Sequence, residues 1–401
     1  MMLIELVLLV GTLPVVLAIL VVAVEGWAGF LLPSGGLADD AEPGTIAVLV
    51  PAHNEEAGIE VTLRSMLSEL REKDRLLVVA DNCTDRTAEI ARSAGAEVIE
   101  RFDEEQRGKG YALAYGIESL GKNPPATLVI ADADCVLRAG SLRPLARQAE
   151  VSGRPAQAVY LLDPPTDAGI RDRVSVLAFL FKNLVRPRGL ARLGLSCPMT
   201  GTGMALPWAL VGRVSWASGH LVEDMQLGID LALRGQGARL CEEALVTSAA
   251  PSGERASNTQ RTRWEHGHLE TLVRHAPRLI VRGLLRGRLE PVMAGVDLAV
   301  PPLAILCVGW LALTVVLVPL ALLLGVGSLA ALLLVETGVV LLVTVLVAVV
   351  RDGGERVRVR DLLAVPGYVL WKIPLYVRFF IDKQTTWVRT ERPQHSDSEK
   401  P

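Results

Sequence analysis

The chain has 401 residues, half of them hydrophobic, and a positive mean hydropathy. This composition excludes a plain soluble enzyme and a pure membrane bundle, and the length allows one sizeable soluble core plus a few membrane spans. A net charge of −3 argues against a nucleic-acid partner. The five cysteines are widely spaced and form no CxxC pair, which predicts reduced thiols in a cytosolic compartment.

The first apolar segment covers residues 1–28. Its stretch from Leu3 to Val24 has about the 20 residues that a helix needs to cross a bilayer. No basic region precedes it, and no small-residue cleavage site follows near Glu25. We therefore interpret the segment as a transmembrane anchor and not as a signal peptide.

Residues 45–270 alternate between short apolar runs and helical patterns. Continuous apolar strands separated by helices predict an α/β fold, with a mostly parallel sheet flanked by helices on both faces. Ligands bind such sheets outside the carboxyl ends of the strands. Three predicted strands end in polar residues there: His53, Asn54 and Glu55; Asp81 and Asp85; and Asp132 and Asp134. No GxGxxG or GxxxxGK[ST] motif is present, which argues against a dinucleotide enzyme and a P-loop NTPase.

The sequence DAD places Asp132 and Asp134 two residues apart at a strand end. Carboxylates at i and i+2 of an extended chain point the same way and suit Mg²⁺ or Mn²⁺. The alternative is an ordinary strand-ending turn. Asp81 can accept hydrogen bonds from a base or a ribose, whereas we expect Asp85 to begin the following helix.

Two further stretches carry polar residues at predicted helix starts. Lys109 lies between two glycines in QRGKGYALAYGI, and such an entry to a helix can hold a phosphate or be a plain loop. Glu223 and Asp224 begin an apolar-periodic helix in HLVEDMQLGIDLALRG. Acids at this position can simply oppose the helix dipole, or one can act as a general base facing a cleft.

The stretch SNTQRTRWEHGH predicts a helix with Gln260, Arg263 and Trp264 on one face. This face can bind a diphosphate and a sugar ring, or it can lie on a membrane surface. In residues 271–290, arginines recur every four residues, which predicts a separate basic amphipathic helix on the cytoplasmic surface. We expect the six histidines to be structural or solvated and not metal ligands.

The second apolar zone, residues 291–350, is interrupted near Gly325 and predicts a transmembrane hairpin. The arginines that follow place the next loop in the cytoplasm by the positive-inside rule, so the soluble part is cytoplasmic as well. Residues 361–381 predict an interfacial helix or a fourth membrane helix, because Lys372, Pro374 and Arg378 interrupt them. Residues 390–401 are predicted to be disordered.

Six motifs then occur in a recognisable order: VPAHNEE, Asp81 in VVADNCTDRT, DAD, TGTG, VEDMQLG and QRTRW. Together they span Thr45 to about His275. In this order the chain resembles membrane-bound family 2 glycosyltransferases of the cellulose-synthase-like and hyaluronan-synthase-like branch. The resemblance implies a GT-A-like domain with one N-terminal and two or three C-terminal transmembrane helices.

The resemblance also implies a role for each matched residue. Asp224 would be the catalytic base, and Asp132 and Asp134 would hold Mg²⁺ or Mn²⁺. The nucleotide sugar would contact Pro51, Asn54, Glu55, Asp81, Lys109, Asp132 and Arg263. The acceptor would contact Gly201, Thr202, Gly203, Glu223, Gln260 and Trp264. We expect a UDP-sugar, with GDP-mannose as the alternative.

These roles predict an inverting transfer to a membrane-associated acceptor in exopolysaccharide or glycolipid assembly, at the inner (plasma) membrane. The partners expected are a nucleotide-sugar donor, a lipid-linked or polysaccharide acceptor, and membrane lipids. A processive synthase is the alternative, but such members usually have more spans, and they carry aromatic residues where this chain has CPMT. A non-catalytic transport or scaffold component is the alternative of another class. The sequence does not determine the sugar, the acceptor or the oligomeric state.

Overall fold

The computed structural model describes residues 2–35, 41–165, 168–217, 223–250 and 254–372, and only the backbone of residues 254–264. Its α-helices are α1 Met2–Leu31, α2 Ile59–Leu67, α3 Thr87–Ser93, α4 Lys109–Leu120, α5 Leu142–Ser152, α6 Ile170–Leu180, α7 Arg186–Arg192, α8 Trp208–Val211, α9 Glu223–Leu233, α10 Glu254–Leu285, α11 Leu289–Leu298, α12 Leu303–Leu324 and α13 Ser328–Asp352. Its strands are β1 Ile46–Ala52, β2 Arg75–Asp81, β3 Glu97–Arg101, β4 Thr127–Ile130, β5 Cys135–Leu137, β6 Ala156–Asp163, β7 Met204–Pro207 and β8 Arg239–Ala249.

The strands form one eight-stranded sheet in the order β3-β2-β1-β4-β7-β6-β8-β5. Strands β3, β2, β1 and β4 are parallel neighbours, while β7 is antiparallel to both β4 and β6. Strands β1, β2 and β4 consist almost entirely of buried apolar residues, as expected for a parallel sheet covered on both faces. The mixed, mostly parallel class predicted from the sequence is therefore present.

Helices cover the two faces of the sheet through apolar stripes. Helix α5 buries Leu142, Leu145, Ala146 and Ala149, which recur at helical spacing. Helix α4 lies so close to the sheet that a Cβ on Gly116 would be 2.5 Å from the Cδ1 atom of Leu49. Glycine at position 116 thus permits this close approach of α4 to β1.

Several elements differ from the sequence-based expectations. The helix expected after β1, over residues 57–73, covers only Ile59–Leu67. The third predicted strand, TLVIADADC, is divided, because DAD forms the turn between β4 and β5. The sequence did not predict β3, nor the half of the sheet that contains β6, β7 and β8. In that half, strands that are far apart in the chain lie side by side.

Three helices among the described residues are long and apolar enough to cross a membrane, namely α1, α12 and α13. The predicted break near Gly325 is present between α12 and α13. Helix α12 ends there, with Gly325 in the left-handed conformation, and α13 begins at Ser328. A 3₁₀ segment covers Val359–Ala364, and the chain is helical through residue 372. The remainder of the predicted segment 361–381 and the predicted tail 390–401 lie outside the described residues.

The boundary predicted at residue 270 falls inside one helix. Helix α10 runs without a break from Glu254 to Leu285, through Pro277, so residues 271–290 are not a separate helix. They comprise the last part of α10, a short turn and the start of α11, which packs against α10. The helix continues through both Gly267 and Pro277, so neither residue ends it near the predicted boundary.

The soluble domain is joined to the apolar helices through α7. Gly29 of α1 and Gly189 of α7 meet so closely that a Cβ on Gly189 would be 1.7 Å from the carbonyl oxygen of Glu25. Two ion pairs also join α7 to the apolar helices, one to α1 and one to α13. Arg186 Nε donates to Glu25 Oε2 at 2.5 Å, and Arg188 Nη1 donates to Asp352 Oδ1 of α13 at 2.8 Å.

Candidate active site

The loop that follows β1 is bound to the loop that follows β2. Asn54 adopts the left-handed conformation, and its Oδ1 accepts the backbone N–H of Thr84 at 2.7 Å. The backbone N–H of Glu55 donates to Thr87 Oγ1 at 2.7 Å. Pro51 lies within β1. These contacts fix the two loops side by side at the carboxyl edge of the sheet, where the sequence placed them.

Asp81, the last residue of β2, is paired with an arginine that the sequence did not single out. Arg101 Nη1 donates to Asp81 Oδ1 at 2.7 Å, and the two side chains are only 9% and 10% exposed. Arg101 also donates to Asp103 Oδ2 at 3.0 Å. Asn82 completes the cluster through a 3.2 Å hydrogen bond to the same oxygen of Asp81. A buried, paired carboxylate of this kind offers a fixed acceptor to a ligand.

Lys109 brings three separate segments together. It begins α4 immediately after Gly108, and its Nζ lies 2.5 Å from Asp132 Oδ1 and 3.6 Å from Glu223 Oε1. The same ammonium donates to the carbonyl oxygen of Gly201 at 2.8 Å. Burial lowers the pKa of Lys109, but the neighbouring carboxylates outweigh burial and hold it above its ordinary value. Lys109 is therefore a fixed positive charge.

The turn between β4 and β5 holds a group of possible metal ligands. One ligand atom each of Asp132, Asp134 and Cys135 lie within 4.8 Å of one another. Burial and then the charge of Asp132 raise the pKa of Asp134, and burial raises the pKa of Cys135 well above its ordinary value. Cys135 is thus a neutral thiol, which leaves two carboxylates as oxygen ligands. Two adjacent carboxylates that repel each other suit a hard divalent cation.

Glu223 and Asp224 begin α9 and face the same group. Burial raises the pKa of Glu223 to about 7, although the Lys109 charge opposes this change. Burial also raises the pKa of Asp224, again opposed first by Lys109. A carboxylate whose pKa is raised in this way is a better proton acceptor than one in water.

Glycine lets the Gly201–Gly203 loop approach Lys109 and Asp224 closely. Gly201 has a φ of +84°, and a Cβ there would be 3.1 Å from Asp224 Oδ2 and 3.3 Å from Lys109 Nζ. Gln157 of β6 holds the loop, since its Nε2 donates to Thr202 O at 2.9 Å and its Oε1 accepts the N–H of Thr200 at 3.0 Å. Gln157 was not predicted from the sequence, although a glutamine inside a mostly apolar strand indicates a buried hydrogen-bonding role.

The structure thus brings Lys109, Asp132, Gly201, Glu223 and Asp224 to one place. The side chains of Gln260, Arg263 and Trp264 lie outside what the structure describes, although their backbone is part of α10.

Two of the histidines contact backbone carbonyls: His53 Nδ1 lies 2.7 Å from Asp81 O, and His268 Nε2 lies 3.2 Å from Val300 O. Burial lowers the pKa of His268 to about 3, so its ring is neutral. Both contacts fit a structural role.

Residues 43–267 match the family model described as glycosyltransferase-like family 2. Among curated proteins, the chain is 26% identical over 236 residues to the probable glycosyltransferase YdaM of Bacillus subtilis strain 168, covering 56% of this chain and 55% of that protein. It is 38% identical over 93 residues to the low-salt glycan biosynthesis hexosyltransferase Agl6 of Haloferax volcanii, covering 23% and 21%. The chain therefore spans about half the length, or less, of these relatives.

Among solved structures, the mannosyltransferase PcManGT from Pyrobaculum calidifontis, in complex with GDP-Man and Mn²⁺, aligns with a TM-score of 0.56 and 19% identity. The alignment covers 95% of this chain and 99% of that one. At this identity the similarity shows the fold alone. Together with the sheet described above, it confirms the predicted GT-A-like class with one apolar helix before the domain and two after it.

Proposed function

Because the chain belongs to glycosyltransferase-like family 2, we propose that it transfers a sugar from a nucleotide sugar to a membrane-associated acceptor, with inversion at the anomeric carbon. The observation that carries this proposal is the convergence of the DAD turn, Lys109, the Gly201 loop and the carboxylates at the start of α9. Candidate donor-binding groups and a candidate base therefore lie in one cluster.

In the reaction that we propose, Asp224 takes the proton of an acceptor hydroxyl. The oxygen attacks the anomeric carbon from the side opposite the nucleotide, and the bond between that carbon and the diphosphate oxygen breaks. The leaving diphosphate gains negative charge, which the ammonium of Lys109 stabilises. A single displacement inverts the anomeric centre, so an α-linked donor gives a β-glycoside.

Asp132 and Asp134 are the residues that would hold Mg²⁺ or Mn²⁺. Either ion, when bound, neutralises charge on the diphosphate of the donor. The donor proposed is a UDP-sugar, and GDP-mannose is the alternative, the donor present with Mn²⁺ in the fold-related PcManGT complex. Asp81, held by Arg101, is proposed to accept hydrogen bonds from the nucleoside.

We also propose that the acceptor lies in the membrane. Helices α1, α12 and α13 are apolar enough to span a bilayer, and α1 contacts the catalytic domain directly through α7. The arginines that follow α13 would place the catalytic domain in the cytoplasm, at the inner (plasma) membrane. A lipid-linked acceptor in exopolysaccharide or glycolipid assembly fits this arrangement.

The test is nucleotide release by the full chain in detergent, with Mg²⁺ or Mn²⁺, across a panel of nucleotide sugars, with and without a lipid acceptor. Asp224→Asn should reduce transfer at least about 100-fold. The matched control is Asp230→Asn, which alters the same helix two turns away and should leave transfer unchanged. Release without acceptor and with a growing product would favour a processive synthase, and no release from any donor by folded protein would refute the proposal.

A further inference from the structure

The segment between α6 and α7 is a π-helical turn, Phe181–Val185. Such turns contain an extra residue relative to an α-helix, and they occur frequently at functional sites. Phe181, Leu184 and Val185 are buried in the core that lies between the sheet and α1. Lys182 is the exception, because its side chain is exposed. The turn therefore presents one lysine from an otherwise buried segment.

Charged groups of the active site and of the membrane junction surround Lys182. Burial lowers its pKa, and the carboxylates of Asp224, Asp297 and Glu265 oppose that effect. Its exposed side chain is therefore within electrostatic reach of the proposed base Asp224 and of Asp297 at the junction with α1. Among the described residues, no carboxylate comes within ion-pair distance of Lys182 Nζ, so its positive charge is not neutralised there by a direct contact.

Arg186 lies one helical turn further along, and its guanidinium is paired with two carboxylates. It contacts Glu25 Oε2 at 2.5 Å and Asp297 Oδ1 at 2.6 Å, so two carboxylates neutralise this one guanidinium. Glu25 belongs to the apolar helix α1. Lys182 thus interacts electrostatically with the proposed base, Asp224, and lies one helical turn from the arginine that binds α1.

We propose that Lys182 binds an anionic group, a phosphate or a carboxylate, on the acceptor. This inference rests on the proposed function and specifies the class of acceptor: an amphiphile with an apolar tail and an anionic head. An exposed ammonium with no carboxylate in direct contact can form a charge-assisted hydrogen bond to an anion that reaches it. A neutral head group forms no such ion pair, so Lys182 would favour an anionic head group over a neutral one.

The geometry supports a lipid as the source of the anion. The turn that carries Lys182 packs on α6, α7 and β6 and touches α1, so Lys182 lies beside a helix that is apolar enough to span a bilayer. The neighbouring Asn183 is only 4% exposed, and its Oδ1 has no hydrogen-bond donor among the described residues. The same turn therefore also offers an acceptor for a hydroxyl of the bound molecule.

The experiment measures binding, which keeps it independent of turnover. Full-length protein in detergent micelles is titrated with a polyisoprenyl monophosphate, with oleate, and with the uncharged analogues polyisoprenol and oleyl alcohol. Inorganic phosphate and acetate are tested as competitors to separate a lipid head group from a free anion. The variants are Lys182→Met, Lys182→Arg and, as a matched control, Lys122→Met, which removes an exposed lysine beyond the end of α4.

We expect the wild-type protein to bind at least one anionic amphiphile about 10- to 100-fold more tightly than its uncharged analogue. Lys182→Met should abolish that difference, while Lys182→Arg and Lys122→Met should retain it. Affinity for the nucleotide sugar in the presence of Mn²⁺ should be the same in all variants, because the donor side contains Lys109 and not Lys182.

Equal affinity for charged and uncharged amphiphiles, or an unchanged preference in Lys182→Met, would overturn the assignment. So would complete displacement of the amphiphile by inorganic phosphate or acetate at comparable concentration, since this would indicate a site for a free anion. A loss of donor affinity in Lys182→Met would place the residue in the donor site instead. Failure of the proposed function is detected separately, by the absence of nucleotide release in the wild-type protein.

Discussion

Removal of Arg186 should destabilise the junction between the catalytic domain and α1. Its guanidinium contacts Glu25 of α1 at 2.5 Å and Asp297 of α11 at 2.6 Å, and the three side chains are 11%, 4% and 12% exposed. Arg186→Met keeps most of the side-chain volume but leaves two buried carboxylates without their cation. Breaking a buried pair by removing one partner costs about 3–5 kcal/mol, because the remaining charge is not compensated.

The assay is reversible unfolding of the purified protein in mixed micelles containing a graded fraction of a denaturing detergent. Arg64→Met is the control, because its ion pair with Glu60 is 74% and 52% exposed and should contribute about 1 kcal/mol or less. The triple variant Glu25→Gln, Arg186→Met, Asp297→Asn removes all three charges. It should recover most of the lost free energy of unfolding, since no unpaired charge remains.

Two results would refute this reasoning. If Arg186→Met lowered the free energy of unfolding by no more than Arg64→Met, the junction would not depend on the ion pairs. If the triple variant were as unstable as Arg186→Met alone, lost packing and not an uncompensated charge would explain the effect.

Three further predictions concern the junction and the active site. Gly189→Ala should lower the free energy of unfolding by about 1–3 kcal/mol or more, since the added Cβ would meet backbone atoms of α1. Gly11→Ala is the control, because a Cβ there would have nothing within 4 Å. Comparable unfolding curves for the two variants would contradict the close contact of α7 with α1. Burial holds the pKa of Asp224 above its ordinary 3.8, so kcat/KM should fall as pH drops through that raised pKa. The Lys182 charge lowers the pKa of Asp224, so Lys182→Met should move the acidic limb of the kcat/KM profile to higher pH. An acidic limb that does not move would contradict this link. Asp134→Asn should raise the Mn²⁺ concentration for half-maximal activity about tenfold or more, and an unchanged metal titration would exclude it as a ligand.

Features set by local pattern could be read directly from the sequence. The apolar runs that form α1, α12 and α13 have the length of a membrane span, and a turn at Gly325 separates the last two. Strands β1, β2 and β4 are apolar runs that end in polar residues, and side-by-side parallel strands place those ends at one edge. The positions of Asn54, Asp81 and Asp132 follow from these two facts.

Only the tertiary structure showed which partners these residues contact. Nothing near Asp81 in the sequence indicates Arg101, which comes from the end of an edge strand 20 residues later. Lys109 meets Asp132, Gly201 and Glu223 because α4, the DAD turn and α9 converge. No local rule predicts a contact such as that of Lys109 with Gly201, which are 92 residues apart. The continuity of α10 was also decided by helix packing against α11, since amphipathic pattern alone did not fix its ends.

At the junction between the catalytic domain and α1, the sequence again predicted the helix but not its contacts. The sequence determined that α1 is apolar and long enough to span a bilayer, because hydropathy is a local property of the chain. It did not reveal that Glu25 at the end of α1 is buried against Arg186 and Asp297, since the three residues are widely separated along the chain. A buried charge is costly unless an opposite charge lies beside it. The packing of α1, α7 and α11 places these opposite charges in contact.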